Sequence, residues 1–332
     1  MRNEILRFKN VFIENTSCVG GKKESEGPLS AHFDMLEPDE YFGKDTWEKA
    51  ESEMNTRTVN FLLSKTKLDY SDIDLSCGGD LLNQCVATSF VLKNCDLPFL
   101  GLYGACSTMA ESLIIGAVFK SANFAKRVLC FASSHFCSAE KQYRFPLEYG
   151  GQRTPTSQST VTGCGAILLG DSEKCRVEVK EAVVGKIVDS GVTDVNNMGA
   201  AMAEAAVDTI TRYFGASNLS PDDFDIIATG DLGREGYELA CELFKRKKFE
   251  LYGKYTDCGM LIYDLEKQDV HAGGSGCGCS AVVTAGYFYD KLIKGEAKEI
   301  LLIGTGALLN PNTVFQKQSI PAVAHLVRLS AR

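Results

Sequence analysis

Thirteen cysteines and four histidines are spread through these 332 residues, and one of them, Cys106, stands where a nucleophile would be built. An apolar run, Leu97 to Tyr103, meets Gly104-Ala105-Cys106-Ser107-Thr108 and then a helix-forming stretch, Met109 to Ala122. A strand that turns sharply into a helix presents its turn residue to unpaired backbone N–H groups, where the helix dipole favours thiolate over thiol. The same N–H groups bind a carboxylate or phosphate without any chemistry. Thiol catalysis needs a base within reach, and two histidines are candidates. His135 follows the apolar run Val128 to Ala132 through Ser133 and Ser134. His271 opens His271-Ala272-Gly273-Gly274-Ser275-Gly276-Cys277-Gly278-Cys279, whose glycines let backbone approach a ligand closely and whose helix start offers a second set of N–H groups. Two loops, Gly79-Asp80-Leu81-Leu82-Asn83-Gln84 and Gly230-Asp231-Leu232, bring carboxylates and an amide to neighbouring strand ends. The candidate ligand-binding set is therefore Asp80, Asn83, Cys106, Ser107, Ser134, His135, Asp231, His271, Ser275 and Cys277. Each has a plainer reading. A cysteine is often a small buried hydrophobe, a histidine can be structural, and an aspartate after a strand is ordinary turn or cap chemistry. Lys141, Arg144 and Arg153 lie in a polar stretch whose charges are usually solvated.

The elements that must position these residues follow an alternating pattern. Short β-rich runs (Ile73 to Cys77, Leu97 to Tyr103, Arg127 to Ala132, Gly165 to Leu169, Phe224 to Thr229, Ile300 to Gly304) are separated by longer helical stretches, which predicts an α/β layered fold with buried strands. A helix is expected from Thr46 to Leu63. The second half repeats the first. Residues 73–81 parallel 224–232, matching Asp80 to Asp231, and Gly104-Ala105-Cys106 parallels Gly276-Cys277-Gly278, matching Cys106 to Gly278. A repeat this long is two fused copies of one unit rather than a solenoid. The expected division is 1–175 and 176–332, with a cover loop at 138–162 over the site.

Bulk properties exclude several functions. A formal charge of −8 and the lack of a basic cluster interleaved with aromatics argue against nucleic-acid binding. The odd number of cysteines, without paired CxxC knuckles, indicates neither a disulfide framework nor a zinc site and points to a reducing compartment. No apolar run suits a membrane span or signal peptide, so cytoplasmic synthesis is expected. The run 273–278 lacks the spacings of nucleotide-binding loops.

A duplicated α/β unit with a cysteine at a strand-to-helix turn resembles the thiolase and ketoacyl synthase superfamily, which implies a five-layered αβαβα fold and a homodimer. Longer strings narrow this: GGDLLNQ (78–84), FLGLYGACSTMAES (99–112), FAKRVLCFASSH (124–135), EYGGQRTPTSQSTVTGCGA (148–166), HAGGSGCGCSAVVT (271–284) and TGALLNP (305–311). Together they resemble the stage V sporulation protein AD family. That resemblance implies a subunit that binds dipicolinic acid without catalysis, peripheral at the spore inner membrane. It would act with the membrane subunits of a transport complex in uptake during sporulation and release in germination. Enzymes of the superfamily add two further groups to the cysteine, the last in a Gly-rich turn near the C-terminus. Here the corresponding stretch, Gly304-Thr305-Gly306-Ala307-Leu308, holds neither Cys nor His, and His271 lies outside a GHP string. The alternative is an acyl-CoA or acyl-carrier-protein transferase or condensing enzyme using Cys106 with His135 or His271 as base. For dipicolinate, a dianion, the expected donors are the N–H groups of 106–108 and 276–279 with His135, Asn83 and Ser134. Asp80 and Asp231 would suit Ca²⁺ carried with the ligand; no other cofactor and no resident metal is expected.

Overall fold

A computed structural model describes residues 4–143, 153–171, 175–251 and 253–332. Arg144 and most of the middle of the expected cover loop lie outside these residues. Ten strands build the frame: β1 (Phe12–Gly20), β2 (Leu75–Asp80), β3 (Phe99–Gly101), β4 (Val128–Ser134), β5 (Gly163–Gly170), β6 (Val177–Val183), β7 (Ile226–Thr229), β8 (Tyr255–Asp257), β9 (Glu299–Ala307) and β10 (Ala322–Ala331). They form one continuous sheet in the order β8-β7-β9-β10-β6-β1-β5-β4-β2-β3. Read outward from its centre, each half follows one rule: the unit's first strand, then its fifth, fourth, second and third. In each half the fifth strand is antiparallel to its neighbours while the second, third and fourth are parallel. The halves join through β1 and β6, where Phe12 faces Glu178 and Ile13 faces Val177.

Helices cover both faces, because strands buried on two sides need apolar partners on each. Helices α1 (Trp47–Thr66) and α2 (Val86–Leu92) cover one half, and α5 (Met198–Ala216) and α6 (Gly233–Arg246) the other. Between them run α3 (Thr108–Ser121), which touches β2 and β4 of one half and β9 and β10 of the other, and α7 (Cys277–Val282), which touches β1, β4 and β5. A short helix α4 (Phe136–Tyr143) follows β4. The result is the five-layered, thiolase-like αβαβα fold. Thr46 caps α1 by accepting the Lys49 N–H at 3.3 Å, and the Met109–Ala122 expectation is met by α3, one residue earlier at each end.

Two expectations need correction. The predicted strand Leu97–Tyr103 pairs only over Phe99–Gly101, because the chain must leave the sheet early to form the turn that carries Cys106. The expected Gly-rich turn at 304–308 is instead mostly strand: Gly304 pairs with His325 and Gly306 with Val323 inside β9. Its glycines are needed for contact. A Cβ on Gly306 would lie 2.4 Å from the Gly104 carbonyl oxygen, and one on Gly304 would lie 2.6 Å from the Ala110 Cβ. Their absence lets the Cys106 turn lie directly on β9.

The same logic fixes α7 against β5. A Cβ on Gly165 would fall 2.3 Å from the Ala281 carbonyl oxygen, so Gly165→Ala should lower the thermal midpoint by several degrees, a loss of about 2 kcal/mol or more. Gly215→Ala, at an exposed helical site with no atom within 4 Å, should leave the midpoint unchanged or raise it by up to about 1 kcal/mol of stability. Calorimetric scans of the two variants check the contrast.

Candidate ligand-binding site

Cys106 lies in a tight turn, Ala105–Ser107, one residue ahead of α3. Ala105 adopts φ +49°, the left-handed region that side chains disfavour, and two hydroxyls clamp it there. Ser107 donates to the Gly104 carbonyl at 2.6 Å; Thr108 donates to the Ala105 carbonyl at 2.6 Å and accepts the Gly104 N–H at 3.2 Å. Cys106 is buried, with its Sγ 3.9 Å from the Ser275 hydroxyl. Behind it is a polar knot. The buried Asp231 carboxylate accepts from the Ser275 hydroxyl (3.0 Å), the Gly276 N–H (3.0 Å) and the Thr305 hydroxyl (2.7 Å), while Thr305 accepts the Asp231 N–H at 3.0 Å.

This geometry reverses the electrostatics expected at a helix start. Burial pushes the Cys106 thiol well above its ordinary range, and the Asp231 carboxylate beside it pushes the same way. Burial also raises Asp231, against the hydrogen bonds it receives. Cys106 is therefore held as a neutral thiol.

Neither histidine hydrogen-bonds it. The buried His135 accepts the Cys137 N–H at Nδ1 (3.2 Å) and donates from Nε2 to the Glu40 carbonyl (2.8 Å), with both nitrogens engaged and burial lowering its pKa. His271, at φ +51°, pairs with Asp269 at 3.4 Å on a side chain 27% exposed. The Asp80 carboxylate turns into its own loop, accepting the N–H groups of Leu82 (3.0 Å) and Thr88 (2.8 Å) and the Thr88 hydroxyl. Asn83 is exposed, and its N–H reaches Gln142. Ser134 donates to the Val161 carbonyl (2.7 Å) and accepts the Gly278 N–H (3.1 Å), and the Cys277 thiol donates to the Ser133 carbonyl (2.8 Å). The candidates that meet are thus Cys106, Asp231 and Ser275. Among the described residues no three His, Cys, Asp or Glu side chains converge on a point that could hold a metal ion.

Of the helix-start amides, Ser107 and Thr108 donate to the Gly104 and Ala105 carbonyls, Gly276 to Asp231, Gly278 to Ser134 and Cys279 to the Gly276 carbonyl. The N–H groups of Cys106 and Cys277 have no partner among the described residues. They lie at the starts of the two central helices, one position out of register with each other, since the counterpart of Cys106 is Gly278. Above the thiol, the Tyr103 and Tyr143 hydroxyls meet each other and the Leu81 carbonyl; burial raises both, and Cys106 adds to each. Thr305, Tyr103 and Tyr143 were not foreseen. Tyr103 could have been found from its position three residues before Cys106; Tyr143 and Thr305 carry no signal apart from the fold. Glu51, buried on α1, was also missed. It accepts from Ser133 (3.0 Å) and Ser138 (2.7 Å) and is pushed up to about 8, by burial first and then by Asp80.

The sequence profile of stage V sporulation protein AD matches residues 3–330. The curated stage V sporulation protein AD of Bacillus subtilis (strain 168) is 41% identical over 315 residues, 95% of this chain and 93% of that one. The chain belongs to the stage V sporulation protein AD family. Its role is therefore in sporulation. Among solved structures it is similar to 3-oxoacyl-[acyl-carrier-protein] synthase III of Aquifex aeolicus (TM-score 0.59, 12% identity, 96% of this chain and 99% of that one). It is similar also to a single-substitution variant of Xanthomonas campestris OleA (TM-score 0.61, 13% identity, 98% of each chain). At such identities these likenesses establish the fold. No helix among the described residues is long and apolar enough to cross a membrane.

Glu51 makes a pH test possible. Its folded-state pKa, about 8, is raised from the ordinary 4.5, so the unfolded chain ionises first as pH rises. The stability it contributes is full below the unfolded value and is lost as pH climbs through about 8. Melting temperatures of Glu51→Gln should fall less between pH 5 and 8.5 than those of the wild type; parallel curves would count against a protonated Glu51.

Proposed function

We propose that this chain binds dipicolinate, without catalysis, at the Cys106 turn, beside Cys277 and the two tyrosines. The observation that carries the reading is that no histidine reaches Cys106: both are engaged elsewhere. The acceptor beside the thiol is the buried Asp231 carboxylate, already engaged by Ser275, Gly276 and Thr305, and its charge holds the thiol proton in place. What remains suits recognition. Two unpaired backbone N–H groups at Cys106 and Cys277 can donate to a carboxylate, and the Tyr103 and Tyr143 rings offer flat apolar faces to a pyridine ring. Membership in a sporulation family supports a ligand abundant in spores.

In this reading the chain works as the peripheral subunit of a transport complex at the spore inner membrane, alongside membrane-spanning partners. It serves uptake in sporulation and release in germination. Calcium, where it accompanies the ligand, is cargo coordinated by the ligand's own carboxylates and solvent, since the oxygens of Asp80 and Asp231 are committed internally. A homodimer is part of the same proposal. Among the described residues strand β3 ends the sheet, and Leu100 is 38% and Phe90 56% exposed, apolar surface that a second copy would cover.

Calorimetric titration of the purified chain with dipicolinate, in chelator and in calcium, with acetyl-CoA in parallel, tests the proposal. Saturable dipicolinate binding, no acetyl-CoA response and an affinity about tenfold weaker in Cys106→Ala, equivalent to about 1.4 kcal/mol, are expected. Thioester turnover lost in Cys106→Ala would instead establish the acyltransferase reading, and silence toward dipicolinate would overturn the proposal. Light scattering of Leu100→Lys should show a monomer where the wild type is a dimer.

A further inference from the structure

In a chain of net charge −8, one surface cluster has the opposite sign. Arg153, His271 and Lys23 converge on Asp269. The Arg153 guanidinium pairs with the Asp269 carboxylate and also donates to its backbone carbonyl at 3.3 Å; His271 Nε2 is 3.4 Å from the same carboxylate; Lys23 Nζ is 3.4 Å from the carbonyl. The burial of these groups is lopsided. The Asp269 side chain is 76% exposed, while that of Arg153 is 13% exposed and that of His271 27%. Lys23 is fixed as well, 3.2 Å from the Ser159 hydroxyl and 5.0 Å above the Phe136 ring, and its backbone carbonyl accepts from Gln268 at 2.8 Å. The two cations, Arg153 and Lys23, are seated in the protein, and the carboxylate that faces them stands largely in water.

Because Asp269 is largely solvated, another carboxylate can replace it without leaving a charge buried and unpaired. The location gives that exchange a direction. Ser159–Thr160 pairs in parallel with Gly274–Ser275, so the hydroxyl that holds Lys23 lies at one end of the ladder and Ser275, beside Cys106, at the other. Ser275 is four residue steps from His271, at most about 14 Å of extended chain.

We propose that Lys23, Arg153 and His271 form a carboxylate seat, occupied by Asp269 until an incoming dicarboxylate displaces it, that collects anionic ligand before it reaches Cys106. Naming dipicolinate as that ligand rests on the proposed function; the seat itself rests on the cluster. A positive seat on a negative protein raises the local concentration of anions and their rate of association, and salt screens both.

Stopped-flow binding of dipicolinate to the full chain at 20 and 200 mM salt tests this. Asp269→Asn should raise the association rate about three- to tenfold at low salt, Arg153→Gln with Lys23→Gln should lower it by a similar factor and flatten its salt dependence, and Arg153→Lys should keep that dependence. Melting curves confirm that each variant is folded. Wild-type binding whose rate and salt dependence are the same in all variants overturns the seat. A wild type silent to dipicolinate overturns the proposed function instead, and succinate then probes the seat: saturable binding strengthened in Asp269→Asn and lost in the double variant supports it, and no binding overturns it.

Discussion

The buried carboxylate of Asp231 is the constraint on which the site depends. Its donors come from the loop ahead of α7 (Ser275 and Gly276) and from the end of β9 (Thr305), so one side chain fixes where three elements of the second half meet. The turn of the first half is then pressed onto this assembly through Gly304 and Gly306, which have no side chain to hold it away. A carboxylate buried without such donors would cost several kcal/mol. The elements are held in register because any slippage would leave that charge unpaired.

The knot also sets the chemistry. A helix start by itself lowers a thiol's pKa, but the effect of a macrodipole is about 0.3–1 kcal/mol where exposed, smaller than the cost of burying a thiolate beside a carboxylate. Desolvation and Asp231 act in the same direction on Cys106 and prevail. With His135 held between Glu40 and Cys137 and His271 drawn to Asp269, neither histidine is placed to take the Cys106 proton. In the proposed reading the Cys106 and Cys277 amides and the tyrosine pair hold the ligand.

Much of this architecture was legible in the sequence. The buried strands reveal themselves as apolar runs, and the duplication shows in the match of Asp80 to Asp231 because each residue ends or follows the second strand of its half. Cys106, Asp231 and Ser275 were among the candidates because strand ends and helix starts must converge in such a sheet, though nothing in the sequence singled them out from the others. The direction in which a side chain turns was not legible. Asp80 and Asp231 have the same local sequence, Gly-Asp-Leu, yet Asp80 finds its donors eight residues on, at Thr88, while Asp231 finds them 44 and 74 residues away, at Ser275 and Thr305. Those long-range partners are set by packing. His135 was misleading for the same reason: its position at a strand end is as expected, but the carbonyl of Glu40, from a segment whose placement the sequence does not specify, accepts its N–H.

The two halves treat their equivalent aspartates differently. Each half carries a second buried acid beside its aspartate: Glu51 beside Asp80, pushed up to about 8, and Asp257 near Asp231, pushed up to about 7. In the first half both acids are satisfied by groups of that same half, Ser133, Ser138, Leu82 and Thr88. In the second half Asp257 satisfies the loop that follows Asp231, through the N–H groups of Leu232 and Gly233, and so frees Asp231 to face the centre. The helix starts diverge to match. Cys106 has room for a side chain beside Asp231, whereas its counterpart Gly278 has none: a Cβ there would lie 2.4 Å from the Gly163 carbonyl oxygen and 2.6 Å from the Ser134 hydroxyl. One half therefore places a side chain at this turn, where the other closes backbone against the ends of β4 and β5.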